Sequence, residues 1–345
     1  MIPFFDCHYD LLTSILMNMD PINKNSNIDN LISTLEKLYD NNVKGSIINL
    51  FFMSKEEMEN ELDIKNINVK EMFKKTVEQL EFLKMSGYIK DDVKFIYSIE
   101  GCDFLEIDDL EYLYKLGLRS ILPVWNNQNK YASGIKTTKG LTEEGKKLIK
   151  KAIELGIIID VSHMNEKSFF ESLEYLLILK KEGYNPTIIA SHSNLKTFKD
   201  VDRNLSNKQI NTLKYLDAYI GLFTNSKFIS KDFLNITKEK RQKDFLDMLN
   251  YLINDLKYPT NRILISTDDM EYYPDKNYHG YNCFDLDILN KDIYKLLKLK
   301  YSDNVIEKIM FNNGYDIYNK VSQKEKRKWY FEYFCNRCWS KWVSS

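Results

Sequence analysis

The chain has 345 residues, 43% hydrophobic and 29% charged, and its 49 basic and 50 acidic side chains leave a formal net charge of -1. Such a chain buries a sizeable core, which argues against disorder, and its interspersed charges form no broad basic surface for nucleic acid. No stretch approaches the roughly 20 apolar residues of a membrane helix, and Met1 to Phe5 is too short for a signal peptide, so a cytoplasmic protein is expected if Met1 is the native start.

Short β-branched runs alternate with longer stretches of helical period. The strand candidates are Ile2 to Asp6, Val43 to Phe52, Val93 to Ile99, Arg119 to Val124, Ile157 to Val161, Thr187 to Ala190, Ala218 to Phe223 and Ile263 to Ser266. After the first of them, Ile28, Leu31, Ile32, Leu35, Leu38 and Tyr39 share one helical face, as a crossover helix requires. A second helix starts after Thr142, an N-cap followed by Glu143 and Glu144, and buries Leu148, Ile149, Ala152 and Ile153. Phe245, Met248, Leu249, Leu252, Ile253 and Leu256 form the longest stripe, which Pro259 ends. This succession of βα units predicts a (β/α)8 TIM barrel over residues 1–322, within the size range of that fold.

Residues 323–345 form a basic and aromatic tail, Lys324 to Lys328 followed by Trp329, Trp339 and Trp342, expected to pack on the barrel or at a subunit contact. Cys335 and Cys338 make one CxxC with no second ligand pair nearby, so the odd set of five cysteines reads as reduced thiols.

Of four histidines in the chain, three stand at or just beyond the end of a strand candidate. The C-terminal ends of barrel strands form the active-site face, so such residues converge. His8 and Asp10 follow the first strand, and alternation in extended chain sends both the same way, although an HxD by itself also serves in surface or capping roles. Glu100 follows Ile96 and Ile99, where a carboxylate is costly unless paired or on a metal. His163 and His192 close two adjacent strands and deliver two imidazoles to one rim. Asp268 ends the eighth strand beside the first, placed to move a proton or to cap a helix, with Asp269 leaving the register open. His, Asp and Glu together suit two divalent ions, zinc first among them, and hydrolysis follows. His279 lies outside these motifs and reads as an exposed rim residue.

In order and spacing, DCHYD at 6–10, EG at 100–101, GLTEEGKKLIKKAIELGIIIDVSH at 140–163, ASHS at 190–193, RNLS at 203–206 and STDD at 266–269 resemble the membrane (renal-type) dipeptidases, peptidase family M19 of the amidohydrolase superfamily. The likeness covers about residues 4–320. It implies that His8 and Asp10 bind one ion, that His163 and His192 bind the other, and that Glu100 bridges them. It also implies a hydroxide between the ions as nucleophile, Asp268 as proton shuttle, Arg203 as the holder of a dipeptide carboxylate, and catalytic roles for Asp268 and Glu100. One departure stands out: where well-known members carry a substrate-contacting His after the fourth strand, this chain reads Pro123-Val124-Trp125-Asn126-Asn127, so Trp125 and Asn126 are the expected substrate contacts. The alternatives are hydrolysis of another small amide or lactone, or a non-catalytic metal-binding scaffold. A small-molecule substrate is the expected partner, and a homodimer stays open.

Overall fold

Aliphatic runs without a polar face suit strands that are covered on both sides, as in a parallel sheet flanked by helices. The computed structural model describes residues 2–19, 28–269 and 281–322. Its strands are β1 (Phe4–Tyr9), β2 (Val43–Phe51), β3 (Lys94–Glu100), β4 (Leu118–Leu122), β5 (Ile158–Asp160), β6 (Ile188–Ala190), β7 (Tyr219–Phe223) and β8 (Ile263–Ser266). They pair in parallel in chain order and close, β8 against β1, into the expected eight-stranded barrel. The first strand departs most from expectation: it runs past Asp6 to Tyr9 because its polar end keeps pairing with β2 across a register shift.

Phe5, Ile47, Ile96, Ile158, Ile189 and Leu264 meet inside the barrel, each fully or almost fully buried. Their alternate neighbours, such as Phe4, Ile48 and Ile159, belong to the larger core between sheet and helices. Burying one such side chain stabilises by about 1.5–3 kcal/mol, so the two layers together dominate the favourable side of folding.

The helix Glu143–Glu154 begins where expected, the Thr142 side chain accepting from the Gly145 N–H, and it buries Leu148, Ile149, Ala152 and Ile153. The stripe ending before Pro259 splits into an α-helix, Lys238–Asn250, and a π-helical turn, Tyr251–Asp255. A last helix, Asn313–Val321, is absent from the sequence-based expectations and closes the N-terminal end of the barrel. Its Ile317 and Val321 join the inner cluster, and the Val321 carbonyl accepts from Arg119 Nε at 3.0 Å. Gly314 permits the approach: a Cβ there would lie 2.2 Å from the Phe5 ring. The opposite, C-terminal end stays available for a site.

Cys7, Cys102 and Cys283 are buried and free. No described helix is long and apolar enough to cross a membrane. The tail 323–345, with Cys335 and Cys338, and His279 lie outside the described residues.

Candidate active site

Phe5 and Cys7 both face the barrel interior, so strict alternation turns His8 away from it. Between Asp6 and Tyr9, however, β1 advances three residues while β2 advances two, from Ser46 to Ile48. The extra residue re-aims the chain, and His8 Nε2 comes within 2.9 Å of Glu100 Oε2. Asp10 arrives by a different route. It lies beyond the strand, at φ -84° and ψ 39°, as the N-cap of the helix Leu11–Asn18. The expectation that simple alternation brings His8 and Asp10 together is therefore corrected: a register shift and a helix start achieve it.

Glu100 is the last residue of β3, and Gly101 after it takes φ +82°. A Cβ at Gly101 would lie 2.0 Å from the Phe52 carbonyl oxygen, which explains the EG pair. His163 and Asp268 adopt the same left-handed region without being glycines, at φ 65° and 50°. Such conformations cost about 1–3 kcal/mol and persist where neighbours impose them. Here the His163 carbonyl accepts from the Ile135 N–H at 3.1 Å, and the Asp268 N–H donates to the His8 carbonyl at 3.0 Å.

The result is a tight cluster. His163 Nε2 lies 2.9 Å from His192 Nε2 and 3.3 Å from Glu100 Oε1, and His192 Nε2 lies 3.7 Å from the same oxygen. Asp268 Oδ1 stands 3.6 Å from His8 Nε2 and 3.9 Å from His192 Nε2. Asp269 instead borders a separate cavity with Asp6 and Tyr9, so the aspartate doublet presents Asp268 to the cluster.

Burial, then the positive charges of Arg203 and His8, hold the His163 imidazole well below its usual pKa. His192 is lowered likewise, by burial first and then His8 and Arg203. For His8, burial also disfavours the charge, but Glu100, Asp268 and Asp10 outweigh it and raise the imidazole to about 10. Burial and the Glu100 charge push the Asp10 carboxyl well up.

These residues fit divalent ions. An amide oxygen only accepts, so the His163 Nδ1–H donates to Asn126 Oδ1 at 2.9 Å and leaves Nε2 with a lone pair. That lone pair points toward a second neutral imidazole nitrogen, an arrangement a cation relieves. Asp10 Oδ1 is buried with no hydrogen-bond partner, and His8, Asp10 and Asp268 can offer atoms to one ion. A second group that could hold an ion is His8, Glu100 and His192, with His163 Nε2 beside it at 2.9 Å from His192 Nε2.

Arg203 is buried nearby, its Nη1 donating to Ser193 Oγ at 3.1 Å. Trp125 packs edge-on to Phe51 at 5.0 Å and 6.0 Å from the His163 ring. Asn126, an expected substrate contact, also accepts from His163 through its carboxamide oxygen. Two residues that sequence reasoning gave no role stand under the histidines: Ser191, between the Nδ1 atoms of His8 and His192, and Asp160 beneath it. The only signal for them was their position within DVSH and ASHS.

Among curated relatives, an uncharacterized protein of Acinetobacter calcoaceticus, encoded in a PQQ-III 3' region, is 31% identical over 147 residues, 40% of this chain and 44% of the relative. The matched part is thus under half of that relative's length. Among solved structures, a Rhodobacter sphaeroides metallopeptidase liganded with a phosphinate mimic of the dipeptide L-Ala-D-Ala superposes with a TM-score of 0.70. It is 20% identical, over 93% of this chain and 99% of that one. The probable dipeptidase PvdM of Pseudomonas aeruginosa superposes with a TM-score of 0.64, at 17% identity over 93% and 95% of the two chains. Both share the fold. Residues 1–328 match the family described as membrane dipeptidase (peptidase family M19), and the chain belongs to that family.

Proposed function

We propose that the protein hydrolyses the peptide bond of dipeptides with two divalent ions, zinc first among the candidates. The observation that carries this reading is the pair of neutral imidazole nitrogens 2.9 Å apart, with a carboxylate oxygen 3.3 Å from one of them. His8 and Asp10 would hold one ion, His163 and His192 the other, and Glu100, whose two oxygens face His8 and His163 separately, would serve both. When bound, the ions supply Lewis-acid polarisation of the scissile carbonyl and a water acidic enough to attack at neutral pH.

The chain's own groups do the rest. Arg203 presents a planar fork of donors to the dipeptide's terminal carboxylate. Asp268 accepts the proton of the attacking water and passes it to the departing amine. Trp125 and Phe51 form an aromatic wall on the His163 side, and Lys136 Nζ lies 5.6 Å from the Trp125 ring centroid. We extend the proposal to a division between the barrel, ending at 322, and a tail that packs on it or pairs two copies.

A second reading, hydrolysis of another small amide or a lactone, draws on that wall. An indole occupies the expected imidazole position, so donation to the developing oxyanion on this side falls to neutral N–H groups, those of the indole and of Asn126 Nδ2, and is weaker than from an imidazolium. The test measures metal content and hydrolysis together, on panels of L,L- and L,D-dipeptides and of lactones. Metal-loaded protein that cleaves no dipeptide rules out the first reading, and lactone turnover alone selects the second.

A further inference from the structure

The barrel interior changes character one layer above its aliphatic floor. Asp160 and Ser191 follow the inward-facing Ile158 and Ile189 by two residues on β5 and just beyond β6, so they face inward directly beneath the histidines. Both are shielded from solvent, Asp160 at 2% exposure and Ser191 at 0%. Ser191 Oγ lies 2.9 Å from His8 Nδ1 and 2.7 Å from His192 Nδ1. One hydroxyl thus spans two imidazoles assigned to different ions.

A hydroxyl has one proton and two lone pairs. If it donated to either Nδ1, that neutral ring would carry its proton on Nε2 and could not ligate. If it accepts from both, each ring, once neutral, presents an Nε2 lone pair to the site, and the hydroxyl proton needs another acceptor. The acidic group placed beside it is Asp160. Its carboxylate accepts the Ser162 N–H at 2.9 Å and the Ser191 N–H at 3.2 Å, which sets it against the very residue whose hydroxyl proton needs a place. A carboxylate surrounded by donors holds the hydroxyl proton away from both rings.

We propose that Asp160 and Ser191 act as one positioning unit that fixes His8 and His192 with protons on Nδ1, and so couples the two halves of the metal site through a single oxygen. This rests on the reading of these histidines as metal ligands but is independent of the substrate. The pair touches neither substrate nor ion, and acts through the imidazoles.

The chain's four histidines make the tautomers directly observable by long-range ¹H–¹⁵N correlation on histidine-labelled protein. In metal-free wild type, protons are expected on Nδ1 of both His8 and His192, and His192 carrying its proton on Nε2 alone overturns the proposal whether or not any variant folds. For variants, zinc affinity is measured by competition with a chelator. Ser191→Ala is expected to weaken it about 10–100-fold, as loss of an outer-shell partner does. Asp160→Asn is expected to weaken it in the wild-type background and to add nothing in Ser191→Ala. Additive losses would show that Asp160 merely braces the strand ends, and unchanged zinc affinity in Ser191→Ala also sinks the unit. Wild type that binds zinc but cleaves no dipeptide defeats the substrate proposal and leaves this one standing.

Discussion

His163 Nε2 and His192 Nε2 stand 2.9 Å apart, and neither imidazole carries a charge that could be shared, because burial holds both well below the usual histidine pKa. The contact makes sense as two ligands converging on one ion. Replacing either with Ala is expected to halve the metal content measured by elemental analysis and to lower dipeptide turnover by several orders of magnitude, with the fold retained by circular dichroism. Unchanged stoichiometry in both variants defeats the two-ion assignment.

His8 predicts the pH dependence of metal loading. Its imidazole is raised to about 10 in the metal-free protein, so it holds a proton at neutral pH that an ion must displace. Affinity is therefore expected to rise with pH, by up to about tenfold per unit from this group, until roughly pH 10. Calorimetry in buffers of different ionisation enthalpy should show proton release on zinc binding at pH 7. The sign for metal-free stability is the opposite: the His8–Glu100 pair contributes fully below pH 6.5, and that contribution is lost as pH rises through about 10.

Gly101 makes the end of β3 possible, and Gly101→Ala tests it. The added Cβ meets the Phe52 carbonyl oxygen at 2.0 Å and sits at φ +82°. A loss of at least about 1–3 kcal/mol is expected in urea unfolding. Because Glu100 precedes it, zinc affinity should fall as well, and a variant as stable and as tightly zinc-binding as wild type contradicts the role given to this backbone.

The barrel and the convergence of its histidines on Glu100 were legible in the sequence for different reasons. Alternating aliphatic runs and amphipathic stretches are periodic, and β8 was read at its observed limits, Ile263–Ser266. The histidines were legible because an imidazole at a strand end is rare and its placement repeats. What stayed hidden depends on three-dimensional register. The shift in β1 that turns His8 inward leaves no compositional mark, since Cys7 and His8 read equally well under simple alternation. The bond between the Asn126 carboxamide oxygen and His163 stayed hidden because a loop carboxamide beside Trp125 gives no hint of a histidine 37 positions later. Ser191 and Asp160 lie within the motifs without a role legible in them, because small polar residues acquire a role only from what lies above them.

Asn126 accordingly gives a prediction that separates its two roles. As the acceptor for His163 Nδ1, it fixes the ring whose Nε2 faces His192. Asn126→Ala is expected to weaken zinc binding about 10–100-fold, with KM little changed once the protein is saturated with metal. A raised KM at full metal occupancy would return Asn126 to the substrate side.

Asp268 and Arg203 allow binding and proton transfer to be tested apart. Asp268 holds a left-handed backbone, which Asn tolerates, so Asp268→Asn removes the charge and the basicity with little backbone strain. Turnover is expected to fall about 10²–10⁴-fold, with KM and metal content nearly unchanged, if the carboxylate moves the proton. Arg203→Met should do the reverse at saturating metal: KM for dipeptides rises sharply, while kcat at saturating substrate falls less. Dipeptide amides, which lack the terminal carboxylate, should be poor substrates for wild type and lose little further in Arg203→Met. Equal losses on acid and amide would mean that Arg203 acts on the cluster itself, through the charge that already lowers His163 and His192, rather than on the substrate.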